Sequence, residues 1–336
     1  MSILRIGVYV LLVSLAATHA FADASHLLKK KDGWFQSDEA QERLANILTH
    51  QDTHGCWPKN TDTSAKPFRG KRAQLSGTFD NGATTDELRL LARAYTIRAE
   101  PKYERAFDRG LKCILDTQYD NGGWPQIPKS SGYHRHITFN DGAMFRLMTF
   151  LRDIGNNKDN HYRFVKQRDR FRALKAFDQG IQCILDCQIR VDGELTAWCA
   201  QHDEKTLEPR GARVYEHVSI SGGESAEIAC LLMSVPNPTK RIQDSVRGVV
   251  QWFSKSAIVG YRYDRSNGTR KLVGDSKSTV WARFYDIRTN RPIFSGRDGV
   301  IKYDVAEIEP ERRNGYAWYV TSGKKVAACW DKWQWK

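Results

Sequence analysis

Apolar residues recur at helical spacing in three stretches of the chain, and each stretch is followed by a loop and a second amphipathic stretch. AFDRGLKCILDTQ (106–118) and AFDQGIQCILDCQ (176–188) match at nearly every position, and ANILTHQDTHGCW (45–57) is an earlier, weaker copy. The second stretches begin near Thr84, Asp141 and Gly223 and extend over 84–97, 141–151 and 223–233. Apolar residues three and four positions apart are typical of amphipathic helices. The chain therefore repeats a pair of helices about every 70 residues.

Two helices per repeat, with no strand pattern between them, indicate stacked helical hairpins. A further amphipathic segment at 242–253 adds a fourth outer helix. The sequence thus predicts a mainly α fold, an incomplete α/α toroid. Thr84 and Glu87 have the spacing of a capping box at the start of one helix. From residue 258 onward, short aromatic segments broken by glycine predict short strands and loops that cover one end of the toroid.

Each first helix ends in a glutamine that precedes a loop with Trp. The glutamines are Gln51, Gln118 and Gln188. A structural interpretation is that each Gln bonds the carbonyls at a helix end while the Trp packs over the next turn. The rings of Trp57, Trp124 and Trp281 either pack in the core or offer apolar faces to sugar rings.

The first 22 residues have the pattern of a signal peptide. One arginine, Arg5, precedes an apolar run at 6–17, and Ala20 and Ala22 give a small-x-small cleavage site before Asp23. The apolar run is too short for an ordinary membrane-spanning helix. We expect a secreted or periplasmic protein whose residues 23–336 form a single catalytic domain.

Charge and cysteine content add two expectations. The chain carries a net charge of +13, and loss of Arg5 with the signal peptide leaves about +12, which favours a polyanionic partner. Seven cysteines cannot all pair within one chain. Cys113 and Cys183 fall inside helical patterns and are interpreted as small core residues. Cys187 and Cys199 flank a short loop and are candidates for a bridge.

Two helix starts carry the same loop with the acid and the amide exchanged. TFDNG (78–82) contains Asp80 and Asn81, and TFNDG (138–142) contains Asn140 and Asp141. Asp and Asn are favoured helix caps, and one of them at each loop would suffice for that role. Paired carboxylate and carboxamide oxygens also suit a hard cation such as Ca²⁺. If the loops gather at one end of the toroid, they form a candidate metal site.

The third loop, EPRGARVYEHVSISGGES (208–225), has no matching acid at that register and instead carries Arg210, Arg213 and Glu216. The C-terminal part adds Arg283 and Arg297 near aromatic residues. Because guanidinium groups form a planar fork that fits carboxylates, these arginines are either surface ion pairs or ligands for an acidic substrate. We expect Asp80, Asp141 and Arg213 to meet at one end.

Taken together, the motifs GCWPKN, TFDNGAT, DNGGWPQ, ITFNDGAM, GARVYE, WARFYD, GRDG and ERRNGYAWY resemble those of the pectate lyases of polysaccharide lyase family 10, over about residues 35–330. The resemblance implies an α/α toroid, secretion, and calcium-assisted β-elimination of polygalacturonate by a protein without nucleic-acid or membrane partners, which we expect to be a monomer. By the same resemblance, Asp80, Asn81 and Asp141 hold Ca²⁺, and Arg213 is the catalytic base. Substrate binding is implied for Lys59, Asp80, Asn81, Arg283 and Arg297. One departure is Cys56, which stands where glycine is more usual.

The chemistry is consistent with this mixture of acidic and basic residues. Removing the C5 proton of a galacturonate builds negative charge toward its carboxylate, which a divalent cation and Arg or Lys groups stabilise. An arginine base is unusual because guanidinium is ordinarily protonated. Either neighbouring cations lower its proton affinity, or a hydroxide passes its proton load through Arg213. Two other functions stay open: a glycoside hydrolase with Asp80 and Asp141 as acid and base, and a non-catalytic calcium-dependent pectin-binding protein.

Overall fold

The structure is a computed structural model that describes residues 23–266 and 270–335. The predicted signal peptide at 1–22 lies outside these residues and stays a prediction. The α-helices are α1 Asp38–Thr49, α2 Thr85–Arg98, α3 Pro101–Thr117, α4 Ala143–Gly155, α5 Gln167–Cys187, α6 Glu224–Met233, α7 Lys240–Lys255, α8 Pro310–Gly315 and α9 Gly323–Lys332. Over the described residues, no helix is long and apolar enough to cross a membrane.

The long helices form two layers of an open arc. Helices α2, α4, α6 and α9 contact one another in that order and make the inner layer. Helices α1, α3, α5 and α7 lie outside, where α3 contacts α5 and α5 contacts α7. Each inner helix pairs with an outer one, so the predicted α/α toroid is confirmed, and the fourth hairpin consists of α7 and α9. The strand-rich segment is inserted between these last two helices.

The predicted C-terminal strands are also present. Antiparallel β6 (Ile258–Asp264) and β7 (Lys271–Ala282) are the longest, and β11 (Tyr319–Val320) pairs with the other edge of β7. The remaining strands are two residues each: β1 Ile137–Thr138, β2 Arg190–Val191, β3 Glu194–Leu195, β4 Gln201–His202, β5 Ile220–Ser221, β8 Phe284–Tyr285, β9 Phe294–Ser295 and β10 Ile301–Lys302. Pairs β1–β4 and β5–β8 join the loops of consecutive hairpins at one end of the arc.

The repeated glutamines hold the hairpins together. The side-chain amide of Gln51 donates to the carbonyl of Gly55 in its own loop (2.9 Å) and to that of Ala106 in the next outer helix (2.8 Å). Gln118 and Gln188 make the equivalent pair of bonds in their repeats. Buried backbone carbonyls need such partners, so the structural interpretation of the motif is confirmed.

The repeated tryptophans are core residues. The ring N–H groups of Trp57, Trp124 and Trp198 donate to carbonyls in the last turns of the outer helices, at Ile47, Ile114 and Ile184. Trp281 makes the same bond to Phe253 at the end of α7 and is thus the fourth copy. All four rings are buried. The alternative that Trp57, Trp124 and Trp281 offer their faces to sugar rings is therefore wrong.

Backbone bonds around each tryptophan fix the loops that start the inner helices. Thr78, Thr138 and Ser221 donate to the carbonyls of Trp57, Trp124 and Trp198, respectively. The next residue of each loop donates to the carbonyl two residues after the following Trp, at Gln126, Ala200 and Arg283. Each loop is thus bonded to its own hairpin and to the next one, which sets their spacing at this end.

The cysteines differ from the expectation in one respect. A disulfide joins Cys230 of α6 to Cys329 of α9, whereas Cys187 and Cys199 are free and buried, so the bridge suggested between them is wrong. The Cys187 sulfur lies 4.0 Å from that of Cys183 in the same helix, and the Cys199 thiol donates to the carbonyl of Arg210 instead. Cys113 and Cys183 are buried, as predicted.

Candidate active site

The two Asx loops have the same backbone and lie against each other. Asp80–Gly82 and Asn140–Gly142 each form a single 3₁₀ turn in which the second residue is left-handed, with φ of 54° at Asn81 and 48° at Asp141. Asn and Asp are the non-glycine residues that adopt this conformation most readily. The first residue of each loop is buried, whereas the second is at least partly exposed.

Asp80 is enclosed by polar groups. One carboxylate oxygen, Oδ2, accepts from the ammonium of Lys59 and from the amide of Gln126 (2.7 Å). The other, Oδ1, is buried and has no hydrogen-bond partner among residues 23–266 and 270–335. A buried carboxylate oxygen without a partner costs free energy, so this atom is a natural ligand for a cation.

Arg283 brings the second loop and the third hairpin together. Its Nη2 donates to Asp141 Oδ1 (3.0 Å) and to Glu224 Oε1 (2.9 Å), and Asn140 Oδ1 lies 3.5 Å away. Burial lowers the pKa of Arg283, but the nearby Glu224, Tyr316 and Asp141 outweigh it, so the pKa lies above its usual range. Arg283 is therefore a fixed cation beside the outer carboxylate of the loop.

Arg213 is held in a bidentate ion pair. Its Nε and Nη2 donate to the two carboxylate oxygens of Glu216 at 2.8 and 2.5 Å, and Tyr316 donates its hydroxyl to the same carboxylate (2.7 Å). The Glu216 bond holds the pKa of Arg213 above its usual range. Arg213 and Arg283 both lie over the ring of Tyr316, 5.8 and 4.6 Å from its centre. Tyr316 thus joins the Arg213 loop to the Asp141 cluster.

Arg297 occupies the edge of this end of the molecule. Its exposed guanidinium pairs with Glu311 through two bonds of 3.1 Å. The adjoining Gly299 packs against Val214, so closely that a Cβ at this glycine would come within 2.7 Å of the Val214 side chain. Arg297 therefore lies beside the Arg213 loop, although its fork is held by a neighbouring acid.

A family model described as pectic acid lyase matches residues 51–327. The chain belongs to the pectate lyase family. Its sequence is 35% identical to that of the family 10 polysaccharide lyase from Cellvibrio cellulosa, and the two structures give a TM-score of 0.83. The match covers 90% of this chain and 96% of that one. A mutant of that enzyme, solved in complex with trigalacturonic acid, gives a TM-score of 0.82 at the same identity and coverage. No curated protein matches the chain.

The chain is thus a pectate lyase enzyme. This membership contradicts the non-catalytic alternative and leaves the glycoside hydrolase without support. The structure brings Lys59 to Asp80 and Arg283 to Asp141. The individual roles of Lys59, Asp80, Asn81, Asp141, Arg213, Arg283 and Arg297 stay predictions.

Three residues of this site have no role in the sequence-based prediction: Gln126, Glu224 and Tyr316. Glu224 follows Gly223 at the start of α6 and supplies the carboxylate that the third loop seemed to lack. Gln126 could have been found from the repeat, because it stands two residues after Trp124, as Lys59 does after Trp57 and Arg283 after Trp281. Tyr316 lies in the motif ERRNGYAWY, but its sequence position indicates no particular role.

The donor set of the pectate lyase site fits a hard cation. Asp80 Oδ1 is buried without a partner, and Asn81 and Asp141 expose oxygen donors at the equivalent position of the two adjacent loops. Carboxylate and amide oxygens are the ligands that Ca²⁺ prefers. A separate group, His136, Asp203 and Glu204, also has metal-ligand spacing. Arg210 pairs with Asp203 and Arg135 with Glu204, so this second group is already neutralised.

Proposed function

We propose that this pectate lyase cleaves polygalacturonate by calcium-assisted β-elimination, with Arg213 removing the C5 proton. The observation that carries the proposal is that Arg213 and Arg283 both lie against the ring of Tyr316, next to adjacent loops rich in oxygen donors. The similar Cellvibrio enzyme was solved with trigalacturonic acid, and the positive charge of this chain favours the same kind of polyanion.

Asp80, Asn81 and Asp141 would hold the calcium ion. When bound, the ion supplies positive charge that stabilises the carboxylate next to the reacting C5 carbon. Arg283, fixed by Asp141 and Glu224, orients a substrate carboxylate through its remaining N–H groups. Lys59 and Arg297 provide further cations, Lys59 at the first loop and Arg297 at the outer edge. These groups act on the same developing charge, which is where electrostatic stabilisation has the largest effect.

Proton removal requires Arg213 to leave its ion pair. The bidentate bond to Glu216 keeps the guanidinium protonated. A substrate carboxylate that competes for Arg213 would weaken that bond, and the cationic surroundings would lower the proton affinity of Arg213. Tyr316 then retains Glu216 by its hydroxyl. As the C5 proton moves to Arg213, the C–H electron pair forms the C4=C5 double bond and the C4–O bond breaks. The released oxygen takes a proton from solvent, and Arg213 returns its proton to solvent because its side chain is part exposed.

Two further parts of the proposal concern location and assembly. We propose that residues 1–22 are removed on export and that the mature enzyme acts outside the cytoplasm as a monomer, without nucleic-acid or membrane partners. Mass spectrometry of the exported protein should show Asp23 as the first residue. Sedimentation velocity should give a single species near the mass of one chain. An uncleaved N-terminus or a dimer would contradict the respective part.

One assay tests the reaction. The mature protein is incubated with polygalacturonate at alkaline pH, with Ca²⁺ or with a chelator, and the ultraviolet absorbance of the unsaturated uronide is followed. We expect absorbance with calcium and loss of it with chelator. New reducing ends without absorbance would indicate hydrolysis and contradict the elimination.

A variant separates catalysis from binding. Arg213→Ala should lower turnover by roughly 10³-fold or more while polymer binding is largely retained, because the base acts only in the transition state. Arg210→Ala is the matched control, since Arg210 lies in the same loop but pairs with Asp203. Equal loss of binding and turnover in Arg213→Ala would make Arg213 a binding residue.

A further inference from the structure

Two cysteines from different hairpins nearly touch in the core. The sulfur of Cys56, in the loop after α1, lies 2.7 Å from that of Cys113 in α3. A disulfide bond is about 2.05 Å long, so the two sulfurs are within reach of a bond after a shift of well under 1 Å. Both side chains are buried, Cys56 completely and Cys113 with 7% of its surface exposed.

The loop geometry holds Cys56 toward α3. Asp52 accepts from the backbone N–H of Cys56 (2.9 Å) and, through its other oxygen, from that of Gly77 (3.0 Å). Gly77 lies so close that a Cβ there would come within 2.5 Å of the Cys56 Cβ. Because Gly77 covers one side of Cys56, its thiol is left facing Cys113.

The repeat supplies an internal comparison. Cys183 occupies in α5 the position that Cys113 has in α3, as the matching segments 106–118 and 176–188 show. The residue that corresponds to Cys56 in that repeat is Gly123, in GGW instead of GCW. Cys183 therefore faces no thiol from the neighbouring loop, and its sulfur lies 4.0 Å from Cys187, one turn along its own helix. Of the two equivalent helix positions, Cys113 has a thiol from the neighbouring loop beside it and Cys183 does not.

We propose that Cys56 and Cys113 form a second disulfide, which joins the loop that carries Lys59 to helix α3. This inference goes beyond the proposed function and does not depend on it. The chain already holds one disulfide between hairpins, Cys230–Cys329, so an oxidised state of a second close pair is consistent with the same chemical surroundings.

The oxidation needs an external disulfide, such as oxidised glutathione or the disulfide of an exchange protein. Cys113 is the accessible partner because it lines an open cavity of about 710 Å³. The thiol of Cys56, by donating to Cys113, lowers the pKa of Cys113. The Cys113 thiolate attacks the external disulfide and releases one thiolate. The Cys56 thiolate then attacks the Cys113 sulfur and releases the second, so two thiols lose two protons and two electrons, and one external disulfide is reduced to two thiols.

The bond would fix a loop of the active site. Cys56 stands three residues before Lys59, the partner of Asp80. Gln51 and Arg109 already connect this loop to α3 through hydrogen bonds. A covalent link adds a constraint that persists when those bonds open and so holds the position of the Lys59 backbone.

Thiol counting tests the proposal directly. The exported full-length mature chain is denatured without reductant, and its thiols are titrated with Ellman's reagent. Five cysteines are free of the Cys230–Cys329 bond, so we expect five minus two, or three, reactive thiols, and a peptide linking 56 to 113 in mass spectrometry. Five reactive thiols and no linked peptide would overturn the proposal, and neither result requires a variant to fold.

Variants provide the second measurement. Cys113→Ser should raise the thiol count from three to four by releasing Cys56, whereas Cys183→Ser should lower it to two. Cys56→Ser/Cys113→Ser should lower Tm by about 5 °C or more, and Cys183→Ser controls for burying a serine hydroxyl in a helix. If Cys183→Ser lowers Tm as much as the double variant does, the bond does not constrain the fold.

Discussion

The two Asx loops share one backbone but place their carboxylates in different surroundings. In the first loop the acid comes first, so Asp80 is fully buried and the amide of Asn81 is exposed. In the second loop the order is exchanged, and Asp141 takes the outer position with 31% of its side chain exposed. The exchange of two neighbouring residues therefore moves a negative charge from the inside of a loop to its surface without changing the fold.

The hydrogen-bond donors follow the same division. Lys59 and Gln126 donate to the inner Asp80, whereas Arg283 donates to the outer Asp141 and also to Glu224. The buried Asp80, which has one oxygen without a partner among the described residues, is suited to a structural role or to metal binding. The outer Asp141, beside Arg283, remains accessible to ligands. The two acids are therefore not interchangeable, although both loops follow Phe and have closely similar sequences.

The largest expected effect comes from removing the cation of the second loop. Arg283→Ala leaves the buried Glu224 and the adjacent Asp141 without their charge partner, and should lower the free energy of unfolding by about 3–5 kcal/mol. Lys59→Ala should cost less, about 2 kcal/mol, because Gln126 still donates to the buried Asp80 carboxylate. Urea denaturation measures both, and equal losses would mean that the two loops depend on their cations alike.

The next effect depends on pH. Asp86 stands four residues after Gly82, and Arg146 stands at the equivalent position, four residues after Gly142. Burial raises the pKa of Asp86 to about 6. Because the unfolded carboxyl titrates near 3.8, the folded state binds the proton more tightly, and stability falls as pH rises from about 4 to about 6. Asp86→Asn should therefore gain roughly 2–3 kcal/mol relative to the parent between pH 4 and pH 8. A difference that does not vary with pH would contradict this.

A smaller effect distinguishes the acids themselves. Asp80→Asn should cost about 2 kcal/mol, since two donors lose a charged acceptor in a fully buried site. Asp141→Asn should cost about 1 kcal/mol or less, because its side chain is part exposed and Glu224 still pairs with Arg283. The double variant Asp80→Asn/Asn81→Asp gives the first loop the order of the second and should not recover the loss. Full recovery would show that the inner position does not require charge.

The smallest effect concerns the backbone that both loops share. Asn81→Ala should lower the free energy of unfolding by about 1 kcal/mol, because alanine is disfavoured at the positive φ of this position. Asn81→Gly should stay within about 0.5 kcal/mol, since glycine adopts that conformation freely. Chemical denaturation checks both, and similar losses for Ala and Gly would point to a lost side-chain contact instead of strain.

The sequence predicts most of this fold because the repeats are long and carry several signals each. Helical spacing located the hairpins, and the observed helices begin or end within a few residues of the predicted ranges 84–97, 141–151, 223–233 and 242–253. The glutamine that follows α1, α3 and α5 bonds loop and helix carbonyls, and its chemistry leaves few other roles in a buried loop.

The site was less predictable because it depends on contacts between distant segments. Arg283 and Asp141 are 142 residues apart, and the packing of β8 against β5 helps to bring Arg283 to the loop. The disulfide Cys230–Cys329 also joins distant segments, 99 residues apart, so the sequence did not indicate the pair. The role of Glu224 is hard to predict because the third loop has no acid at the position of Asp80 or Asp141. The Glu224 carboxylate instead reaches back to Asp141 from the first residue of α6.

The position two residues after each tryptophan gives the fold a place where chemistry can change at little cost. Its carbonyl carries the bond to the preceding loop at Gln126, Ala200 and Arg283, so the frame is indifferent to the side chain. The four copies of this position carry different side chains, namely Lys59, Gln126, Ala200 and Arg283. Ala200 is the copy without a polar side chain. A polar residue at this position would add a new functional group without removing the carbonyl that bonds the preceding loop.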